Sequence, residues 1–319
     1  MNSPNLRIRV PGTSANLGPG FDIMGLALDL FNSFSFHFFS HSEFRFTLED
    51  GSDFPFAVED NLLLVAYKSY FETYLPGKAI PGFHLEMELG LPIKGGLGSS
   101  ASALIAGYFA GQYIHQNLFS EIEVPDNSKL LFDLAMMEGH PDNTTTAFLG
   151  GFVFSYFNQS ELVIYKEDFP EDISMFLFIP KFETGTTESR KKLPEVYPVN
   201  DLIFNMSRIG TWFKFLQTGV FSTLKLAIQD KIHTDYRVPE GSFLDIIGTS
   251  IENSGGLFTL SGSGPTLLIF FPKEISESEI STLQSNLKNI CTSHGILYEF
   301  TPTQVCSSGT ELEKNSLSL

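Results

Sequence analysis

A chain of 319 residues that is 42% hydrophobic can bury a substantial core and is long enough for two domains. Its net charge of −17, from 20 basic and 37 acidic residues, argues against nucleic acid or an anionic membrane as a partner, since both reward clustered Lys and Arg. No apolar run is long enough to span a bilayer, Met1 to Val10 lacks the apolar core of an export signal, and the two cysteines, Cys291 and Cys306, support neither a disulfide framework nor a Cys-rich metal site, so the expectation is a cytoplasmic protein with reduced thiols.

The pattern predicts a strand over 6–10, a Gly-, Ser- and Asn-rich segment over 11–22, and a strand pair at 34–39 and 44–48. Phe34, Phe36 and Phe38, like Phe44 and Phe46, alternate as half-buried strands do, so the 32 phenylalanines read as core. Asp60 is the expected N-cap of a helix over 62–74, and 83–89 alternates as a strand. From Ser99 to about Asn117, Leu104, Ile105, Tyr108, Phe109 and Ile114 recur at helical spacing, with Ser99 or Ser100 as N-cap. A helix over 129–138 stops at Gly139, His140-Pro141-Asp142-Asn143 forms a polar turn, and 152–157 with 162–165 resembles a hairpin.

After residue 167 the pattern restarts with a strand over 175–179, a polar loop over 181–199 and helices near 201–217, 221–228 and 243–253. A second glycine loop, Ser261-Gly262-Ser263-Gly264-Pro265-Thr266, precedes a strand over 267–271. Ser276 and Glu279 form a capping box for a helix that Gly295 closes, a strand follows over 296–300, and the last dozen residues read as frayed. Strands and helices mix without strict alternation and without internal repeat, which favours an α+β fold. The expected division is an N-terminal domain over 1–167, a C-terminal domain over 168–306 and a flexible tail over 307–319.

The most informative stretch is Leu91-Pro92-Ile93-Lys94-Gly95-Gly96-Leu97-Gly98-Ser99-Ser100-Ala101. It ends at a helix N-terminus, where amide N–H groups lack partners and the macrodipole is positive, and its glycines let backbone approach an anion. An ordinary strand-to-helix turn is the plainer reading, and a phosphate cradle is the sharper one. No P-loop sequence is present, and Gly96-x-Gly98-x-x-Ala101 is only a partial dinucleotide fingerprint, with Glu121 and Glu123 in a polar loop rather than at the end of a second strand.

Three glycine-rich segments, Pro11 to Asp22, Pro92 to Ala103 and Ser261 to Thr266, resemble in that order the three motifs of the GHMP small-molecule kinases. Glu138-Gly139-His140-Pro141-Asp142-Asn143 and Ile232-His233-Thr234-Asp235-Tyr236-Arg237 look like those of the homoserine kinase group within it. The resemblance implies a two-domain fold, with an N-terminal domain like the second domain of ribosomal protein S5 and a ferredoxin-like C-terminal domain. It implies ATP-dependent phosphorylation of the L-homoserine side-chain hydroxyl, with Mg²⁺, in a homodimer. The nucleotide would meet Asn61, Pro92, Lys94, Gly95, Gly96, Leu97, Gly98, Ser99, Ser100 and Ala101, with Asn61 on adenine. Ser100 and a helix carboxylate would hold the metal: Glu138, the only glutamate in that helix, or Asp133, which lies nearer the expected spacing. Asn16, Asp22, His140, Asp142, Thr186, Arg190 and Arg237 would form the substrate pocket, with Asp142 beside the attacking hydroxyl and Asn16 near it. Arg190 and Arg237 suit a carboxylate, and Asp22 or Asp142 an ammonium.

Thr13 stands where mevalonate kinases carry a lysine, which disfavours their aspartate–lysine activation. Thr144, Thr145 and Thr146 replace the small apolar residues usual after the His-Pro-Asp turn, and their hydroxyls either line the pocket or cap the following segment. A GHMP kinase for another small alcohol, or a nucleotide-binding sensor without turnover, is the alternative.

Overall fold

A computed structural model describes residues 4–52, 54, 61–182 and 185–317. Strand β1 (Leu6–Ala15) runs antiparallel to β2 (Met24–Phe39), with a register shift between Pro11 and Gly12. β1 thus continues into the first glycine-rich segment, beyond the 6–10 expected. Strands β3 (Phe44–Leu48) and β4 (Gly82–Leu89) complete this edge of the sheet, in the order β1-β2-β4-β3. The expected strand pair is not a pair, because β4 lies between β2 and β3, and β3 joins β4 in parallel.

Helix α1 (Leu62–Tyr74) is capped by the Asn61 side chain, which accepts from Leu63 N and Leu64 N. The Asp60 expected as its cap lies outside the described residues. Helix α2 (Ser99–Leu118) is apolar nearly all round and lies beside α1 against the sheet, where Ile105, Tyr108, Phe109 and Ile114 join Tyr67 of α1 and Phe34, Phe36, Phe38, Phe83 and Leu85 in one core. Edge-to-face rings such as Phe36 on Phe83, 5.2 Å apart at 78°, fill it, as the alternating phenylalanines predict. The two helices cross closely at Gly107, where a Cβ would stand 2.0 Å from the Leu63 carbonyl.

Helices α3 (Asn127–Glu138) and α4 (Asp142–Leu149) follow, then the hairpin β5 (Phe152–Asn158) and β6 (Glu161–Glu167), joined to the sheet through β2. The His140 turn is therefore the entry to a helix rather than a free loop. The second sheet opens with β7 (Ile173–Pro180). Helices α5 (Thr186–Lys191), α6 (Val199–Thr218), α7 (Phe221–Ala227), α8 (Thr234–Arg237) and α9 (Phe243–Asn253) come next, α5 falling inside the segment expected as loop. Strands β8 (Leu257–Leu260) and β9 (Leu267–Pro272), helix α10 (Glu277–His294) and strand β10 (Tyr298–Thr303) complete the unit. The capping box at Ser276 and the left-handed Gly295 bound α10 as expected.

All pairings in the second sheet are antiparallel, in the order β10-β7-β9-β8. Counted from β7, that is fourth-first-third-second, the ferredoxin-like arrangement. β9 is apolar on both faces because both are covered. Leu267, Ile269 and Phe271 pack with Ile247, Ile251, Leu283 and Leu287 of α9 and α10. Leu268 and Phe270 turn the other way, to Trp212 and Phe215 of α6 and to Leu26, Leu28 and Phe152 of the first sheet. One apolar cluster is thus shared by the two halves.

The expected frayed tail over 307–319 is corrected: after β10 the chain crosses back, Cys306 N donating to Ala27 O, and β11 (Glu311–Lys314) pairs antiparallel with β1. The signal was missed because Glu311, Glu313 and Lys314 are charged and the strand lies at a sheet edge. Deleting residues 310–319 should lower the melting temperature by several degrees, because the β1 edge loses its partner. Differential scanning calorimetry showing an unchanged transition would refute this docking.

Candidate active site

The glycine loop joins β4 to α2. Gly98 is the N-cap of α2 at φ 71°, with no side chain bonded to the first amides, so neither Ser99 nor Ser100 caps the helix. Those amide donors remain directed at whatever lies beyond the N-terminus. Asn32, which the motifs did not single out, ties the loop in place: its Oδ1 accepts from Leu91 N at 3.1 Å and its Nδ2 donates to Ser102 Oγ at 2.9 Å.

Gly96 has φ 80°, and a Cβ there would stand 2.3 Å from the Ser261 carbonyl. Two glycine segments therefore touch backbone to backbone. Ser261 Oγ donates to Gly96 O at 2.7 Å, and Gly262 N donates to Ala15 O at 3.1 Å, which brings in the first segment.

Asn16 adopts φ 71° and Asp22 φ 63°. Asn16 Oδ1 accepts from Asp22 N at 3.0 Å, and its Nδ2 donates to Gly262 O at 2.8 Å. The Arg190 guanidinium forks onto the two Asp22 carboxylate oxygens, both at 2.8 Å. The groups expected to read opposite ends of a substrate thus pair with each other. Arg237 donates to Gly262 O at 3.0 Å, and its buried Nε has no partner. Burial, together with the Arg190 charge, lowers the Arg237 pKa. The guanidinium carbons of both arginines stand near the Phe21 ring, at 5.1 and 5.2 Å.

Asp142 opens α4 and is buried. Its Oδ1 accepts from His140 Nδ1 at 2.6 Å, Asn143 N at 2.8 Å and Asn143 Nδ2 at 3.1 Å, and none of these bonds uses Oδ2. Thr13 Oγ1 donates to Asn143 Oδ1 at 2.7 Å, which orients that amide. Burial pulls the His140 pKa down, but the Asp142 hydrogen bond and charge, with Glu138 and Asp22 behind them, outweigh it and hold the imidazole up at about 9. The threonines after Asp142 are buried, and the Thr145 hydroxyl donates back to Pro141 O at 2.5 Å. None of the three lines the cavity, and the Thr144 and Thr145 hydroxyls bond the first turn of the helix.

Ser100 Oγ donates to Glu138 Oε1 at 3.3 Å, while Glu138 Oε2 is buried without a partner. Burial pushes this carboxyl up to about 8. An orphaned carboxylate oxygen beside a hydroxyl at the cavity wall fits a hard divalent cation, which takes oxygen ligands. Asp133 instead accepts from Tyr74 and Tyr108 hydroxyls and does not line the cavity. Ligand atoms of Asp22, His140 and Asp142 lie within 4.8 Å of one another, but Arg190 and the His140–Asp142 hydrogen bond already engage them.

One cavity of about 630 Å³ gathers most of these groups. Its lining includes Asn16, Asp22, Asn61, Lys94, Gly95, Gly96, Gly98, Ser99, Ser100, Glu138, His140, Asp142, Arg190 and Arg237. Pro92, Leu97 and Ala101 are not in the lining. Leu97 and Ala101 are buried, and Leu97 O accepts from Thr13 N. Thr186 begins α5, and its side chain lies outside what the structure describes. Sequence reasoning passed over Asn32, Phe21 and Gly262 as site members, although Phe21 and Gly262 sat in flagged segments and only Asn32 lay outside them.

Residues 61–151 match the family described as GHMP kinases N terminal domain. A homoserine kinase of Clostridium botulinum (strain Kyoto / Type A2) is 35% identical over 289 residues, 89% of this chain and 93% of that one. The homoserine kinase of Trichormus variabilis is 37% identical over 268 residues, 83% of this chain and 85% of the other. The crystal structure of homoserine kinase from Cytophaga hutchinsonii has the same fold, with a TM-score of 0.79 at 23% identity, covering 98% of this chain and 99% of that one. Two sheets meeting over a glycine loop that opens a helix define the GHMP class of small-molecule kinases. Within that class, the chain belongs to the homoserine kinase family.

The His140–Asp142 pair has a pH signature. A histidine pKa raised from 6.5 to about 9 adds stability that is fully present below pH 6.5 and lost as pH rises through 9. Titration of the His140 ring followed by NMR should give a midpoint well above 6.5, and Asp142→Asn should drop it, since burial alone lowers it. A wild-type midpoint at or below 6.5 would contradict the pairing.

Proposed function

We propose that this protein transfers the γ-phosphoryl group of ATP to the side-chain hydroxyl of L-homoserine, giving O-phospho-L-homoserine and ADP on the way to threonine. The observation that carries the reading is the shared cavity: the glycine loop at the α2 N-terminus and the Asp22, Arg190 and Arg237 charges line the same space. An amino acid carries both an ammonium and a carboxylate. Entering between Asp22 and Arg190, it exchanges one internal ion pair for two, one with each residue, and Arg237 adds a second guanidinium for the carboxylate. A ligand with only one of those charges leaves one partner of the pair exposed to the loss.

For the nucleotide, the amides from Gly95 to Ser100 hold the phosphates, and the buried, unpartnered Asn61 Nδ2 offers a donor to a purine edge. Ser100 and Glu138 hold Mg²⁺, which when bound neutralises phosphate charge during transfer. Phosphoryl transfer has a loose transition state, so placing the hydroxyl in line matters more than a strong base. Asp142 directs Oδ2 at that hydroxyl while its Oδ1 is held by three donors. Asn16 braces the turn that carries Asp22. The same resemblance implies a homodimer, which a sizing measurement tests.

With Mg-ATP, ADP release should depend on homoserine and be negligible with mevalonate or shikimate. Asp142→Asn should lower kcat about a hundredfold with ATP binding retained. Release driven equally by all three alcohols points to a broader alcohol kinase, and ATP binding without turnover on any points to a sensor.

A further inference from the structure

The first glycine segment turns left-handed through Asn16, Leu17 and Gly18, at φ 71°, 48° and 82°. Such a turn points successive carbonyls outward, where they need donors. Asn16 O accepts locally from Gly20 N at 3.0 Å, whereas the next three carbonyls each find a donor from the C-terminal half. Trp212 Nε1 donates to Leu17 O at 3.0 Å, His233 Nε2 to Gly18 O at 2.8 Å, and Asn205 Nδ2 to Pro19 O at 3.4 Å. All three donor side chains are buried.

His233 does more than donate. With its Nε2 proton on Gly18 O, the neutral ring leaves Nδ1 as an acceptor, and Nδ1 faces Arg237 Nη1 at 3.4 Å. One imidazole thus touches both the turn that carries Asp22 and the guanidinium of Arg237. Asp230 fixes the backbone beneath it: Oδ2 accepts from His233 N and Thr234 N at 2.9 and 2.7 Å, and Oδ1 from Ile232 N and Asn205 Nδ2 at 2.8 and 2.7 Å. Four donors on one buried carboxylate make a rigid seat.

We propose that His233, seated by Asp230 and flanked by Asn205 and Trp212, is a positioning residue that sets the distance between the Asn16–Asp22 turn and Arg237, and so the length of zwitterion the pocket takes. This rests on the homoserine reading of the same site. A purely structural role would lower stability without separating the two substrates. A positioning role acts on one substrate alone, because the α2 N-terminus is held by other contacts, those of Asn32 and Ser261.

The test compares His233→Ala with His233→Gln, whose amide can still donate to Gly18 O. His233→Ala should raise the KM for homoserine about tenfold or more, leave the KM for ATP within about twofold, and be largely rescued by glutamine. Asn205→Ser, which loses the Pro19 contact and loosens Asp230, should show the same split if His233→Ala does not fold. Trp212 is the only tryptophan in the chain, so its emission reports the Leu17 contact without any turnover. A red shift in His233→Ala, absent in His233→Gln, supports the latch. Equal losses for both substrates, or an unchanged homoserine KM in a folded variant, overturn the proposal. A wild-type protein inactive on homoserine overturns the functional reading instead, and the latch then stands or falls on the Trp212 emission.

Discussion

Backbone contact between two glycine loops is the constraint on which the rest of the molecule depends. The Gly96 Cα lies so near the Ser261 and Gly264 carbonyls that no side chain fits, and the Ser261 hydroxyl closes the gap from the other side. This contact fixes the α2 N-terminus relative to the second sheet. Through Gly262 it also fixes Ala15, Asn16 and Arg237, which all bond that single residue. A phosphate cradle and a set of charges from distant parts of the chain thus come to one cavity because three short, side-chain-poor segments can approach to hydrogen-bonding distance.

The charges themselves are arranged by stacking demands on few atoms. Asp142 Oδ1 takes three donors and Asp230 four in total, while Glu138 Oε2 takes none. Saturated carboxylates hold still, and an orphaned one is kept in an unfavourable setting that a ligand can relieve. Rigid and needy groups side by side make a site that is formed before its ligands arrive.

Much of this was legible in the residues. The periodicity of α1 and α9, the cap signals of α10 and the alternating phenylalanines report local physics, and those elements fall where expected. What the sequence hid is long-range. Nothing in Phe44 to Leu48 says that its neighbour is β4 rather than β2, and a charged edge strand such as Glu311–Lys314 has only Leu312 turned to the core to announce it. The charged site residues carried by motifs were found, Phe21 and Gly262 were passed over within theirs, and Asn32, Asn205 and Asp230 had no motif to mark them. Their work is done on backbone amides and carbonyls, which leave no compositional mark.

The apolar cluster that Leu26, Leu28 and Phe152 share with Trp212, Phe215 and Phe270 bears on how the protein moves. Swinging the two halves apart would wet that seam, so a hinge between them is a costly route for admitting reactants. At the cavity rim the ties are polar instead: Ser189 of the short α5 donates to Ser263 O and Arg190 forks onto Asp22, bonds that water can replace at far less cost than the hydrophobic weld behind them.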